Sequence, residues 1–408
     1  MLKKLKNLGP GLLVTAAFIG PGTVTTASVA GAKYGFALLW IIFFSIFATI
    51  VLQEMSSRLG LIGRTGLGEA IRSAFGSPIL VLLSSLLVVA AIVVGNAAFE
   101  TGNIIGAAIG LEAVTGVSSN TWAVLVGIAA FTLLITGKYQ VIERMLISLV
   151  IIMSVVFILT AIIVRPDIVQ LLNGIIKPQI PSGAIITTLA LVGTTVVPYN
   201  LFLHSQSVQV KWQESIPRKQ ALAESRMDTV VSISIGGIAT LAIVATAAAA
   251  FFQHGIAIKN AATMANQLEP LLGSAAKYFF AIGLFAAGMT SAVTAPLATA
   301  FATSGILGWQ NNLKDWKFKT VWATIIVIGL TFALVGKSPI AAIVFAQAAN
   351  GILLPLVAIF LLVVMNRGDL LGEFKNGFLA NLLGIIVVLF TAGLGIFQFL
   401  KVIKIIEF

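Results

Sequence analysis

An all-α membrane protein with eleven transmembrane helices is the fold class this sequence predicts, and three observations carry the prediction. The chain of 408 residues is 59% hydrophobic and only 10% charged, with a mean hydropathy of +1.06. So much apolar surface cannot be hidden in one soluble core and must face lipid. The apolar residues also fall into separate windows, each matching the about 20 residues that cross a hydrocarbon layer roughly 30 Å thick. Finally, the basic residues alternate between the two sides of these windows, as the positive-inside rule requires when spans are counted correctly.

Taken in order, the windows lie at 9–35, 36–57, 79–110, 121–137, 142–164, 183–205, 227–252, 276–308, 318–336, 338–365 and 377–400. Lys3, Lys4 and Lys6 stand before the first, as in a signal peptide, but the apolar stretch runs on to Gly35 without a small-residue cleavage site, so it reads as a span. The third and eighth runs are long enough to tilt or to carry an extramembrane turn. The connections near 206–226 and 253–275 have room for a short interfacial helix at most. With the N-terminus in the cytoplasm, roughly two thirds of the 25 Lys and Arg residues lie on the inner side, among them Arg58, Arg64, Arg72, Lys138, Lys211, Arg218, Lys314, Lys319 and Arg367, while Lys337 lies outside. This predicts a multi-pass protein of the cytoplasmic (inner) membrane with its C-terminus outside.

Composition removes several function classes. The net charge of +11 is scattered between apolar runs and never forms a basic domain with interleaved aromatics, which argues against a nucleic-acid partner. Without cysteine there are no disulfides, thiolate metal sites or Cys nucleophiles. Two isolated histidines give no zinc-protease motif, and neither a P-loop nor a dinucleotide fingerprint occurs, so no enzyme activity and no resident cofactor is expected. Nothing in the sequence sets an oligomeric state. The expected partners are the lipid bilayer and a small solute or cation.

Two windows are interrupted in their middle. The first carries Gly20-Pro21-Gly22-Thr23 and the sixth, five spans later, carries Val197-Pro198-Tyr199-Asn200. Proline removes a backbone donor and clashes with the preceding turn, while glycine permits conformations other residues resist, so carbonyls are left free. In hydrocarbon such groups persist only where protein, water or ligand completes them. A single proline is consistent with a kink. A pair at matching positions, in a chain whose spans divide into ten plus one, instead predicts a secondary transporter with inverted repeats and a midplane site.

At these residues the chain resembles the NRAMP family of proton-coupled divalent-metal transporters. The likeness rests on Gly9-Pro10-Gly11, the Gly20-Pro21-Gly22-Thr23 break, the run Val197 to Ser205, Leu371-Gly372-Glu373-Phe374, and the Gly- and Thr-rich stretch Ala286 to Gly308. The resemblance implies a LeuT-type fold with two inverted halves, 1–164 and 165–376, an extra helix in 377–408, and alternating access around the two breaks. It also exposes departures. Metal-transporting members carry Asp-Pro-Gly-Asn in the first helix, where this chain has Gly20 and Thr23 at the carboxylate and carboxamide positions. They carry Met-Pro-His-Asn in the sixth, where Val197 and Tyr199 replace the thioether and imidazole, Thr194 replaces a nearby alanine, and Asn200 alone is kept.

Thioether and imidazole ligands suit soft or borderline ions, and hard ions want carboxylate oxygens or retained water. With neither at the matching positions, the leading expectation is a small solute other than a transition metal, its carboxylate bound by helix amide termini and the Thr23, Thr194 and Tyr199 hydroxyls. The alternative is proton-coupled import of a divalent cation, magnesium-like or of broad selectivity, and a second alternative is a membrane sensor that no longer transports. No metal ligand is assigned on either reading. Gln347 matches a family glutamine that completes the site. Glu100, deep in the third span with Asn103 one turn on, stands where the family has an acidic pair on its proton route, here acidic at the first position only. The resemblance makes it a candidate proton carrier, as an ionisable group inside a span suggests, with a structural hydrogen bond to a neighbouring helix as its other reading. His204 is a second relay candidate, with a structural hydrogen bond as its other reading. Glu54 and Arg58 form an i, i+4 pair that reads as a gate or anchor.

Overall fold

The computed structural model describes residues 9–136, 139–213, 215–310, 312–336 and 338–402. Lys3, Lys4, Lys6, Lys138, Lys337 and Lys404, which entered the charge reading, lie outside the described residues. The described chain is helical throughout: α1 (Pro10–Phe18), α2 (Pro21–Tyr34), α3 (Leu39–Ile62), α4 (Leu67–Arg72), α5 (Pro78–Thr115), α6 (Ser119–Ile135), α7 (Tyr139–Val164), α8 (Ile168–Ile176), α9 (Ile185–Thr195), α10 (Tyr199–Lys211), α11 (Arg218–Ala250), α12 (Ala276–Leu307), α13 (Trp316–Val335), α14 (Pro339–Met365) and α15 (Phe378–Val402). A few shorter helical turns lie between them.

Every expected window holds a helix, yet the count of eleven full spans is not reproduced. Among the described residues eight helices are long and apolar enough to cross a membrane, or ten if each of two bent pairs is one span. In the fourth window, α6 has 17 residues, about 26 Å at the usual rise per residue. The third and eighth windows hold uninterrupted helices of 38 and 32 residues, α5 and α12. These two make the most extensive helix pairing in the protein, and α13 and α14 pack against the same α5.

The 253–275 connection holds two short helices, Ala261–Ala265 and Glu269–Leu272, and a further helix, not expected from the sequence, follows α7. After α7 the chain turns by 119° into α8, whose first turn is capped by Asp167, with Oδ1 accepting from the amides of Val169 (2.9 Å) and Gln170 (3.1 Å). Ile168, Val169 and Ile176 stay exposed on it, the pattern of a helix lying along the membrane boundary. The missed signal is the aspartate cap, hidden between two apolar runs that read as one span and a loop.

The broken helices occupy the centre. All of α1 is buried, as is α2 up to Gly31, and these halves are enclosed by α11, α10, α12 and α5. The peripheral α13 and α15 keep large apolar side chains such as Val335, Phe378 and Leu389 exposed, the surface that lipid covers.

Both breaks sit slightly before the positions read from the sequence. The bend of 54° falls at Ile19-Gly20, and Pro21 is already the first residue of α2. The second falls at Val196-Val197-Pro198, with Tyr199 opening α10. The reason is that proline is suited to the first turn of a helix, where its missing N–H has no partner to lose. It therefore marks where the second half-helix starts rather than the middle of the unwound segment.

On the face where α1 begins, charged side chains fasten the bundle. Asp228 of α11 accepts from the backbone amides of Gly9 (3.1 Å) and Gly11 (2.7 Å), which satisfies two donors at the start of α1. Glu54 bridges Arg58 at 3.1 Å and Arg226 at 2.9 Å. Arg58 continues to the Phe374 carbonyl (2.6 Å) and Asn376 (2.8 Å), so the Glu54–Arg58 pair is an anchor between α3, α11 and the turn before α15.

Candidate functional site

The unwound segment between α1 and α2 exposes the last carbonyls of α1, and hydroxyl groups from three other parts of the chain come to them. Ala17 O accepts from the Tyr199 hydroxyl (3.1 Å) and from Ser291 Oγ (3.2 Å), while Phe18 O accepts a short bond from Thr23 Oγ1. Thr23 Oγ1 also lies 2.6 Å from Thr194 Oγ1, which joins the first break directly to the second. The carboxamide of Asn200 donates weakly to Val14 O at 3.4 Å. The Tyr199 ring stands edge-on to Phe99 of α5, centroids 5.4 Å apart, so α5 is seated against the second break.

Around these ties lies a set of buried oxygens with no hydrogen-bond partner: Glu100 Oε1, Asn103 Oδ1, Asn200 Oδ1 and Gln347 Oε1. All four residues are at most marginally accessible, with relative exposure of 0%. Two glycines make room for two of them, Gln347 and Asn103. A β-carbon on Gly22 would overlap the Gln347 carboxamide, so the absence of a side chain there lets Gln347 of α14 reach the first turn of α2. A β-carbon on Gly20 would overlap Ser291 Oγ and stand 3.5 Å from Asn103 Oδ1, so Ser291 and Asn103 fill the space that a side chain at position 20 would occupy. Asn103 in turn donates to Glu100 Oε2 at 3.1 Å.

The structure therefore sorts the residues read from the sequence. Gly20, Pro21, Gly22, Pro198 and Val197 form the two breaks, with Val197 buried as an apolar filler. The hydroxyls of Thr23, Thr194 and Tyr199, expected to face a substrate, are engaged in ties between the helices. Asn200 keeps its oxygen free, and the Gln347 carboxamide has neither its oxygen nor its nitrogen engaged. Glu100 is brought beside the first break through Asn103. His204 is set apart from it: Nδ1 lies 3.0 Å from Gln53 Oε1 on α3, and Nε2 has no partner. Ser291 was not singled out in the sequence, although it lies inside the Ala286 to Gly308 stretch; a serine among small residues carries no mark of a contact 274 positions away.

Among the described residues no three His, Cys, Asp or Glu side chains gather as a metal cluster. The donors present are one carboxylate, carboxamide oxygens and carbonyls. A cavity of about 840 Å³ lies between α2, α9 and α14 on the face away from the Asp228 anchor, lined by Val29, Lys33, Tyr34, Thr187 and Ile340 among others.

Comparison with known proteins decides the family. The family profile described as natural resistance-associated macrophage protein-like matches residues 11–401. The chain belongs to the NRAMP family. Among its NRAMP relatives, a divalent metal cation transporter MntH of Yersinia pestis is 30% identical over 406 residues, covering 98% of this chain and 96% of the relative. An MntH of Klebsiella pneumoniae is 29% identical over 395 residues, covering 96% and 93%. The structure superposes on the manganese transporter of Eremococcus coleocola with a TM-score of 0.78 at 22% identity, covering 96% of this chain and 85% of that one. MhsT in complex with L-phenylalanine superposes with a TM-score of 0.63 at 18% identity, covering 96% and 97%. The NRAMP chain described here thus has the LeuT-type transporter fold that the family resemblance implied, and its relatives are named as transporters rather than enzymes.

Proposed function

We propose that this NRAMP protein imports a hard divalent cation, of the magnesium and manganese class, by alternating access at the paired breaks. The observation that carries the reading is the set of bare buried oxygens on Glu100, Asn103, Asn200 and Gln347. Buried polar atoms are ordinarily satisfied, so oxygens left open beside two unwound segments await a ligand that accepts lone pairs. Carboxylate, carboxamide, carbonyl and water oxygens suit magnesium, calcium and manganese, whereas a site without thioether or imidazole offers little to softer ions.

The names of the relatives support the same reading, since those proteins are divalent metal cation and manganese transporters. The first expectation, a small solute other than a metal, has no such support. It also loses its proposed donors, because the Thr23, Thr194 and Tyr199 hydroxyls are engaged within the protein. In this reading the halves 1–164 and 165–376 are the inverted repeats that rock about the site, with 377–408 appended, the N-terminus in the cytoplasm and a proton as the coupling ion.

Isothermal titration of the purified protein with manganese and magnesium chloride, beside a thermal-shift screen of amino acids and organic acids, tests the proposal. Saturable binding of both ions supports it, since a ligand selective for the folded state also raises apparent stability. Silence towards metals with stabilisation by one organic compound would return the assignment to a small solute.

A further inference from the structure

The family pattern places a carboxylate on the first helix, and this chain has Gly20 there, yet a divalent cation held in a low-dielectric site needs compensating negative charge. Position 20 has no room for it, because Ser291 and Asn103 already fill the space in front of Gly20. A carboxylate does adjoin the residues that fill it: that of Glu100, which accepts from Asn103 at 3.1 Å.

The surroundings of Glu100 offer it no cation. Its residue is fully buried, Oε1 has no partner, and none of the ion pairs among the described residues includes it. The helix that presses on it, α13, does so with Gly329, where a β-carbon would lie 2.6 Å from Glu100 Cγ. The charged residues of α13 are Lys317 and Lys319, both in its first turn, three turns from Gly329; α6 and α14 carry none, α12 carries only Lys277 in its first turn, α2 only Lys33 in its last turn, and α4, also packed on α5, carries Glu69 and Arg72. A buried carboxylate without a protein counter-charge is costly, and it becomes stable when it takes a proton or holds a cation.

We infer that Glu100, with Asn103 beside it, is the anionic ligand of the transported divalent cation, supplying from α5 the charge that Gly20 does not supply from the first helix. This rests on the reading of the protein as a divalent-cation transporter and assigns its charged ligand. Glu100 Oε1 and Asn103 Oδ1 are both open, and Asn103 Oδ1 borders the space in front of Gly20, so one ion there takes a carboxamide oxygen and, from the residue bonded to it, a carboxylate oxygen. Asn103 also fixes the second carboxylate oxygen, as outer partners of a metal ligand commonly do.

The test is titration of the full-length protein in detergent with magnesium chloride and manganese chloride, comparing wild type with Glu100→Gln and with Glu100→Gln combined with Asn103→Asp. Glu100→Gln is expected to raise Kd for both ions at least about tenfold, and the added Asp at 103 is expected to recover most of that loss by returning one carboxylate to the same place. In the unaltered protein, carbodiimide modification of Glu100, followed by mass spectrometry, is expected to slow when magnesium is saturating. Wild-type affinity in Glu100→Gln, or labelling of Glu100 that magnesium leaves unchanged, overturns the assignment, and does so even if a proton gradient then ceases to drive uptake, which would make Glu100 a proton carrier. Failure of the unaltered protein to bind either ion overturns the cation reading itself.

Discussion

Thr23 and Thr194 meet at 2.6 Å, hydroxyl to hydroxyl, across 171 residues of sequence, and this contact ties the two broken helices together at the centre of the protein. Thr23 also caps the end of α1 through the Phe18 carbonyl. Replacing either threonine by valine keeps the shape and removes the bond, which is expected to cost about 1 kcal/mol of stability. The double variant should lose less than the sum of the two, since both remove one interaction. Thermal unfolding of the four proteins in one detergent measures this; strictly additive losses would show that the hydroxyls do not interact.

Gly22 is expected to matter for transport more than for folding. A methyl group there meets the end of the Gln347 side chain, which can swing aside, so Gly22→Ala should be recovered folded with Gln347 displaced from the break. Uptake in proteoliposomes should fall at least about tenfold, the scale of 1.4 kcal/mol. Gln347→Ala in the same background should relieve the crowding without restoring uptake. Wild-type uptake by Gly22→Ala would separate Gln347 from the site.

Asp228 anchors α1 by accepting from Gly9 and Gly11. Asp228→Ala leaves those amides without a partner, at a cost of about 1–3 kcal/mol. Hydrogen exchange should quicken at the start of α1 and stay unchanged within α12. Uniform loss of protection would indicate general unfolding, and unchanged exchange at Gly9 and Gly11 would show that the anchor contributes nothing.

Restoring the family's ligands is harder than the alignment of motifs suggests. Val197→Met adds a thioether next to the break and is expected to raise cadmium affinity more than magnesium affinity, following ligand softness. Gly20→Asp alone should destabilise the protein, because its β-carbon overlaps Ser291; the change should be tolerated better with Ser291→Gly. Competition titrations with the two ions, and melting temperatures for the Asp variants, give the readout. Equal gains for both ions would remove Val197 from the ligand position.

The paired breaks were legible in the sequence because Gly20-Pro21-Gly22 and Val197-Pro198 act through the backbone, whose rules are local. Their position was displaced by a residue or two, since proline opens the following half-helix. The interplay of side chains was not legible. Whether the Thr23 hydroxyl meets a substrate or Phe18 O depends on the bend, and Ser291 becomes part of the site only when α12 packs against the end of α1. Glu100 was noticeable as a charge within a span, yet its close packing against Gly329, more than 200 residues away, exists only in the fold.

Uptake of magnesium and manganese into proteoliposomes containing the purified protein, with each ion tested as a competitor of the other and cadmium as a soft comparison, addresses the central claim most directly. The account predicts that both hard ions enter, that each inhibits the other, and that cadmium competes poorly. Absence of divalent-cation uptake from a folded, correctly inserted preparation that moves an amino acid or organic acid would contradict it.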